Sequence, residues 1–293
     1  MLIRPEDFIN QDILYCMGYA SQKHDMDIHG STFMSNHGHI AATDQKGDRL
    51  PDFCRDFFSL TARSINCFRG RRENLWACGR PNCVLVAPFL EDVADKLAYM
   101  AVNPVEAELV SHIKKWPGVL LTAHKEGLTE LLIERPKFFF DEHGEMPEQV
   151  PLRITLPRLL DASEEQLRRR LQELIPSRES MIRDRVKSEK KSFLGARGVL
   201  RTSVEATPAN PLPKRKIEPT VACKRQPLRE AVLEWKRSRQ ARYDRLRQDL
   251  VDRASEASAV CFPVGTYALW KWYGFERVAW DGCFWSQLIS GMT

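Results

Sequence analysis

Two short motifs carry side chains whose types and spacing could do chemistry. The first is Met34-Ser35-Asn36-His37-Gly38-His39-Ile40. On a β-strand, residues two apart point to one face, so His37 and His39 would present two imidazoles side by side, a geometry that suits two ligands of one metal ion. A His-x-His pair is also an ordinary surface or hydrogen-bonded strand feature, and alone it does not decide. The second is Lys96-Leu97-Ala98-Tyr99-Met100-Ala101-Val102-Asn103-Pro104. On a helix, Tyr99 and Asn103 share a face one turn apart, bringing a phenol beside an amide. Read alone, the same pair fits a packed tyrosine and an asparagine near a helix end.

These motifs need elements to hold them. Phe8, Ile9, Ile13, Leu14, Met17 and Gly18 recur near a 3.6-residue period and predict a helix over 5–24, with Glu6 and Asp7 in its first turn. Residues 27–34 and 37–43 read as two strands joined by the Ser35-Asn36 turn. Pro51 opens a helix to about Phe68, with Phe53, Phe57, Leu60, Ser64 and Ile65 inward. Residues 83–86 form a short strand candidate, and a helix through 92–102 carries Tyr99; Pro104 ends or kinks it, and a second helical piece runs to about His112. Trp116-Pro117-Gly118 closes this first unit. Beyond it, 137–140 and 150–156 read as strands around a turn at Gly144, and 163–191 and 228–253 as charged helices. Residues 202–224, with four prolines, are the linker candidate.

Among 293 residues, 43% are hydrophobic and 28% charged, an ordinary globular balance without a segment long and apolar enough for a membrane span. The opening residues are too acidic for a signal peptide, so a cytoplasmic protein is expected. The cysteines at 16, 54, 67, 78, 83, 223, 261 and 283 are scattered, and the Cys78–Cys83 pair is spaced too widely for a usual zinc knuckle. The net charge of +5 is unevenly placed. Residues 1–135 carry 15 Lys and Arg against 18 Asp and Glu, whereas 177–247 carry 20 against 8. Such a basic block fits either a polyanion partner or a solvated helical face.

Taken together and in this order, the two motifs resemble those of the HUH transposases with a single catalytic tyrosine, in particular the REP-associated tyrosine transposases. Met34-Ser35-Asn36-His37-Gly38-His39 parallels a Met-Pro-Asn-His-hydrophobic-His signature. Tyr99-Met100-Ala101-Val102-Asn103-Pro104-Val105, followed by Ala107-Glu108-Leu109-Val110 and Trp116-Pro117, parallels the tyrosine helix and its continuation. The resemblance covers roughly residues 1–120, and Phe262-Pro263-Val264-Gly265-Thr266-Tyr267 looks like the tail of longer members. Gly38 departs from it where a bulky hydrophobe is usual, and weaker inner packing of that strand is expected; Ser35 replaces a proline. The family's strand before the first helix has no counterpart here, so either the start is truncated, with the native start upstream of Met1, or the sheet lacks one strand.

The resemblance implies a ferredoxin-like α/β sandwich of α+β class over residues 1–120, followed by a mainly helical, basic extension over 121–293. It implies that Tyr99 is the nucleophile and that His37, His39 and Asn103 hold Mg²⁺ or Mn²⁺. The substrate implied is single-stranded DNA beside a hairpin, cut and rejoined through a 5′-phosphotyrosine by a monomer or homodimer. Arg69, Arg71, Arg72 and Trp76 are candidates for phosphate and stacking contacts, as are Lys236, Arg237, Arg239 and Arg242 on the basic helix. Three other readings stand beside this one: a domesticated DNA-binding protein that no longer cuts, a replication or plasmid-mobilisation initiator, and a metal-dependent hydrolase.

Overall fold

A computed structural model describes all residues except 78–80, 124–128, 208–219, 253–260, 264–265, 267–269, 272, 279–283 and 291–293. The fold is mixed α+β, a multi-stranded sheet followed by a largely helical C-terminal region. Its elements are α1 (Asp7–His24), β1 (Met26–Phe33), β2 (Gly38–Asp44), α2 (Leu50–Phe68), β3 (Leu85–Val86), α3 (Leu90–Glu106), β4 (Leu120–Thr122), β5 (Thr129–Glu134), β6 (Gln149–Ile154), α4 (Glu164–Ser188), α5 (Ala196–Arg201), β7 (Val221–Ala222), α6 (Gln226–Asp252) and α7 (Phe284–Ser290). No helix among the described residues is long and apolar enough to cross a membrane.

Strand β1 is the centre of the sheet, and it is buried along nearly its whole length. It pairs antiparallel with β2 from Met26↔Asp44 to Phe33↔Gly38, with a bulge at His29. On its other edge it meets β4 antiparallel at Gly30–Thr32 and β6 in parallel at Ile28, and β5 closes that side against β6. The other edge of β2 has no strand partner among the described residues. The bulged His29 is an interior histidine with both ring nitrogens engaged, by the Thr155 carbonyl at 3.0 Å and the Thr43 hydroxyl at 2.7 Å.

Side-chain alternation sorts the helices onto two faces. Phe33 points to the face covered by α1 and α2, where it meets Phe57 with ring centroids 5.9 Å apart. Gly30 and Thr32 point to the opposite face, where α3 lies: a Cβ on Gly30 would stand 3.7 Å from Leu97, and Thr32 bonds to Met100. Three fully buried alanines, Ala94, Ala98 and Ala101, let α3 approach closely while keeping strong helix propensity. Glu91 and Asp92 complement its N-terminal dipole, and the Asp161 carboxylate accepts from the Leu90 amide. In the turn from β2 into α2, the Asp44 carboxylate accepts from the amides of Lys46, Gly47, Arg49 and Leu50.

Helix α4 lies along α3. It starts with a reciprocal capping box between Ser163 and Gln166 and buries Leu167, Leu171, Ile175, Ile182 and Val186. Four ion pairs flank this seam: Glu91–Arg170, Asp95–Arg178, Glu106–Arg185 and Glu108–Lys191. A single core therefore takes side chains from both sides of position 120. Two smaller clusters lie beside it, one of Ala87, Phe89 and Leu228 and one of Val221, Val232 and Phe284, and Cys223, Trp285 and Leu288 pack against both.

Helices α1, α2 and α6 stand within two residues of their sequence-based positions, α4 ends three residues early, and α5 and α7 have no counterpart in the sequence reading; three further expectations are corrected. Residues 137–140 form a turn, and the strand partner of β6 is instead the earlier segment Thr129–Glu134. Helix α3 runs on through Pro104 to Glu106, and the second helical piece toward His112 is only turns and one 3-10 turn at Ile113–Lys115. Of the 202–224 stretch, 208–219 lies outside the described residues, and Val221–Ala222 is a strand, β7, beside β3. Gly38 is also better accommodated than its chemistry suggested. A Cβ there would fall 2.4 Å from two atoms of the Phe33 ring, so a phenylalanine from the paired strand fills the volume that a bulky residue would take.

Candidate functional site

The site forms where the β1–β2 turn meets α3. His39 pairs across the sheet with Thr32, whose side chain faces α3, so His39 faces α3 as well, and His37, two residues earlier, shares that face. The two imidazoles stand edge to face with ring centroids 5.2 Å apart. Tyr99 comes up from α3 to the His39 ring at 5.7 Å, and Asn103, one turn further along α3, is close enough to the His37 imidazole to favour its protonated form. Four residues from two distant segments thus meet on one face. Tyr99 is the accessible one, 42% exposed, while Asn103 is buried beneath it.

A hydrogen bond sets the tautomer of His37, and burial sets the charge of both histidines. Asn36 Oδ1 can only accept, and it lies 2.8 Å from His37 Nδ1, so Nδ1 carries the proton and Nε2 keeps its lone pair. Partial burial holds both imidazoles below the usual histidine range; the Asn103 contact opposes this at His37, and the neighbouring His37 adds to it at His39. Both rings are consequently neutral near pH 7, the form that binds metals. His39 Nε2 is buried and has no hydrogen-bond partner among the described residues. An orphaned nitrogen beside a second imidazole and an amide oxygen fits a divalent cation, and Asn36 is the outer partner that such a histidine ligand normally has. The described residues contain no group of three or more His, Cys, Asp or Glu side chains that could hold a metal, so the Asn103 amide would have to be the third donor.

Lys96 lies one turn before Tyr99, its Nζ 5.9 Å from the centre of the phenol ring. Sequence reading had not singled out Lys96, Asn36 or Thr32. One signal for Thr32 was present, since a proline inside a helix leaves the carbonyl four residues earlier without its amide donor.

The other candidate residues fall into two groups. Arg69 and Trp76 turn inward: Arg69 pairs with Glu6 at 2.9 Å, and Trp76 donates to the Phe58 carbonyl at 3.1 Å and packs edge-on against that ring. Arg69 holds the end of α2 and Trp76 its middle, which accounts for them without a nucleic acid. Arg71 pairs with Glu73 at 3.1 Å, and Arg72 is exposed. On α6, Lys236 is half-buried with its Nζ 3.4 Å from the Thr220 carbonyl, and burial lowers its pKa. Arg237 is exposed and pairs with Glu234, Arg239 is half-buried with a partner of its own, and Arg242 is exposed. The basic block is therefore divided: Arg178, Arg185 and Lys191 pair with acidic residues on α3 or just after it, while on α6 Arg237 and Arg242 are exposed and Lys236 and Arg239 are half-buried.

Scans of protein-family models, of curated proteins and of solved structures each return no match to this chain, so the reading of the site rests on its residues and their geometry.

Proposed function

We propose that this protein is a single-tyrosine transposase-type enzyme of ferredoxin-like HUH architecture, which nicks and rejoins single-stranded DNA through a covalent bond to Tyr99. The observation that carries the reading is the meeting of His37, His39, Asn103 and an exposed Tyr99 on one face of the sheet. His37, His39 and Asn103 would hold the metal. A divalent ion there, Mn²⁺ or Mg²⁺, would polarise a phosphoryl oxygen and orient the phosphate. Nitrogen donors favour Mn²⁺ over Mg²⁺.

The protein's own groups supply the remaining requirements. Tyr99 is accessible at the mouth of the site, so its phenol oxygen can reach a phosphodiester laid across the histidines. Attack by that oxygen forms the tyrosyl–phosphorus bond and breaks the bond from phosphorus to the 3′ oxygen. The phenol proton leaves to solvent and the departing 3′ oxygen takes one up, which yields a 5′-phosphotyrosine and a free 3′-hydroxyl. The phosphodiester energy is kept, so a second 3′-hydroxyl can reverse the step onto a new end without ATP. Lys96, beside the phenol, is placed to offset negative charge on the phosphate or the phenolate. Exposed Arg72, Arg237 and Arg242 are the available phosphate contacts, with the C-terminal residues serving as an extension of the catalytic unit.

The test is incubation with hairpin-flanked single-stranded DNA and Mn²⁺. The expected products are one fragment with an extendable 3′-hydroxyl and one with its 5′ end blocked by protein. His39→Ala should abolish both while leaving DNA binding largely intact, because phosphate contacts elsewhere supply most of the affinity. Cutting that leaves a free 5′-phosphate would point to a hydrolase and contradict the reading.

A further inference from the structure

Helix α3 contains a proline at position 104, and proline has no amide hydrogen to give to the carbonyl four residues earlier, that of Met100. The gap is filled from outside the helix: the Thr32 hydroxyl, on the central strand, donates to the Met100 carbonyl at 2.7 Å. Thr32 is fully buried, and across the sheet it stands directly opposite His39. Met100 follows Tyr99 in sequence and lies less than one turn before Asn103. One hydrogen bond therefore joins the helix that carries Tyr99 and Asn103 to the strand pair that carries His37 and His39, at the level where they meet.

We infer that Thr32 is a positioning residue, with Pro104 as its necessary counterpart, and that this bond sets the depth and rotation of α3 over the histidine pair. The inference rests on the proposed nicking reaction for its functional consequence, but the geometric claim stands apart from it. Apolar packing and the ion pairs to α4 hold α3 in place, and the bond from Thr32 adds a directional tether to the site strand itself, at the level of Tyr99 and Asn103. The proline removes one internal donor, and the threonine converts that gap into a fixed attachment. Placement matters at this scale because a misplacement of about 1 Å can reduce a reaction rate about a hundredfold. Neither residue touches the phosphate: Thr32 is enclosed beneath the helix and acts only through Tyr99 and Asn103.

The decisive variant separates position from stability. Thr32→Val alone deletes the hydroxyl at nearly constant volume but leaves the Met100 carbonyl unsatisfied, so it costs stability as well. In Thr32→Val combined with Pro104→Ala, the backbone amide restored at position 104 satisfies Met100, the thermal midpoint recovers, and the attachment to β1 is absent. Two readouts are taken on the full-length chain: the ring-to-ring nuclear Overhauser effect between His39 and Tyr99, measured without metal or DNA, and the single-turnover rate of the DNA adduct. The double variant should regain stability, weaken the ring contact and form adduct about ten to a hundred times more slowly, with half-saturation for DNA little changed. Thr32→Ser, which keeps the donor, should stay within about threefold of the parent rate. A double variant with the parental ring contact overturns the inference, as does one whose rate recovers together with its stability. If the parent chain shows the ring contact but forms no adduct, the proposed reaction is refuted, and the ring contact in the double variant still decides the role of Thr32.

Discussion

Introducing a side chain at Gly38, between the two histidines, tests how the site strand is held. A Cβ on Gly38 would stand 2.4 Å from two atoms of the Phe33 ring, where ordinary contact begins at 3.4 Å, so ring and strand must separate by about 1 Å. The ring cannot simply swing away, because Phe33 is 3% exposed and backed by Phe57, itself fully buried. Gly38 itself is exposed but the ring it meets is buried, so Gly38→Ala should cost about 1–3 kcal/mol, the usual range for forcing extra volume against a packed side chain. Phe33→Leu alone removes ring volume and should also destabilise, but in the Gly38→Ala background it relieves the clash. The double-mutant cycle should show a favourable coupling of about 1–2 kcal/mol. Urea denaturation of the parent, both single variants and the double variant gives the cycle, and a constant slope against denaturant checks that the unfolded state is unchanged. Gly38→Ala within about 0.5 kcal/mol of the parent, or purely additive effects, would refute the assignment of Phe33 as the filler of this space.

Further expectations follow from particular contacts. Burial lifts the Asp12 carboxyl to about 7 from 3.8, against the pull of hydrogen bonds from Ser64 and Cys16, and one of its oxygens has no partner. The native state thus keeps a proton that the unfolded chain releases, so stability should fall as pH rises from about 4 to 7, by at most about 4 kcal/mol. Asp12→Asn should remove that dependence, and an unchanged stability–pH profile would contradict it. Exposed Arg237 and Arg242 offer the cleanest test of α6 as a DNA contact: Arg237→Gln with Arg242→Gln should reduce the slope of log affinity against log salt by about 1.4. Truncation is the poorer experiment, since removal of α4 would take Leu167, Leu171 and Ile175 out of the main core.

The histidine strand and the tyrosine helix were legible in sequence because their signals are local: period two around His37 and His39, and a one-turn spacing from Tyr99 to Asn103. Their meeting was not visible in any local pattern, since it depends on β1 choosing β2, β4 and β6 as neighbours. Residues 137–140 show the limit of local reading. Three consecutive phenylalanines suggest a strand, but here Phe138 packs edge-on against Phe8 and Phe68, Phe140 packs on Tyr15, and Phe139 takes a φ of 81°. Aromatic packing across elements overrode β propensity. Charge counting has a similar limit. A count of charges over 177–247 does not reveal that Arg178, Arg185 and Lys191 face acidic partners on α3 and its C-terminal end. The Thr32 bond was the least visible, because its cause, Pro104, lies in a different element from the residue that answers it.

The central claim is that Tyr99 forms the covalent link to DNA, and peptide mapping of the adduct tests it most directly. After reaction with hairpin-flanked single-stranded DNA and Mn²⁺, followed by nuclease and protease digestion, the peptide spanning Tyr99 should carry a nucleotide on the phenol oxygen, and Tyr99→Phe should give no adduct. An undiminished adduct from Tyr99→Phe, or the nucleotide mapped to another residue, would contradict the account.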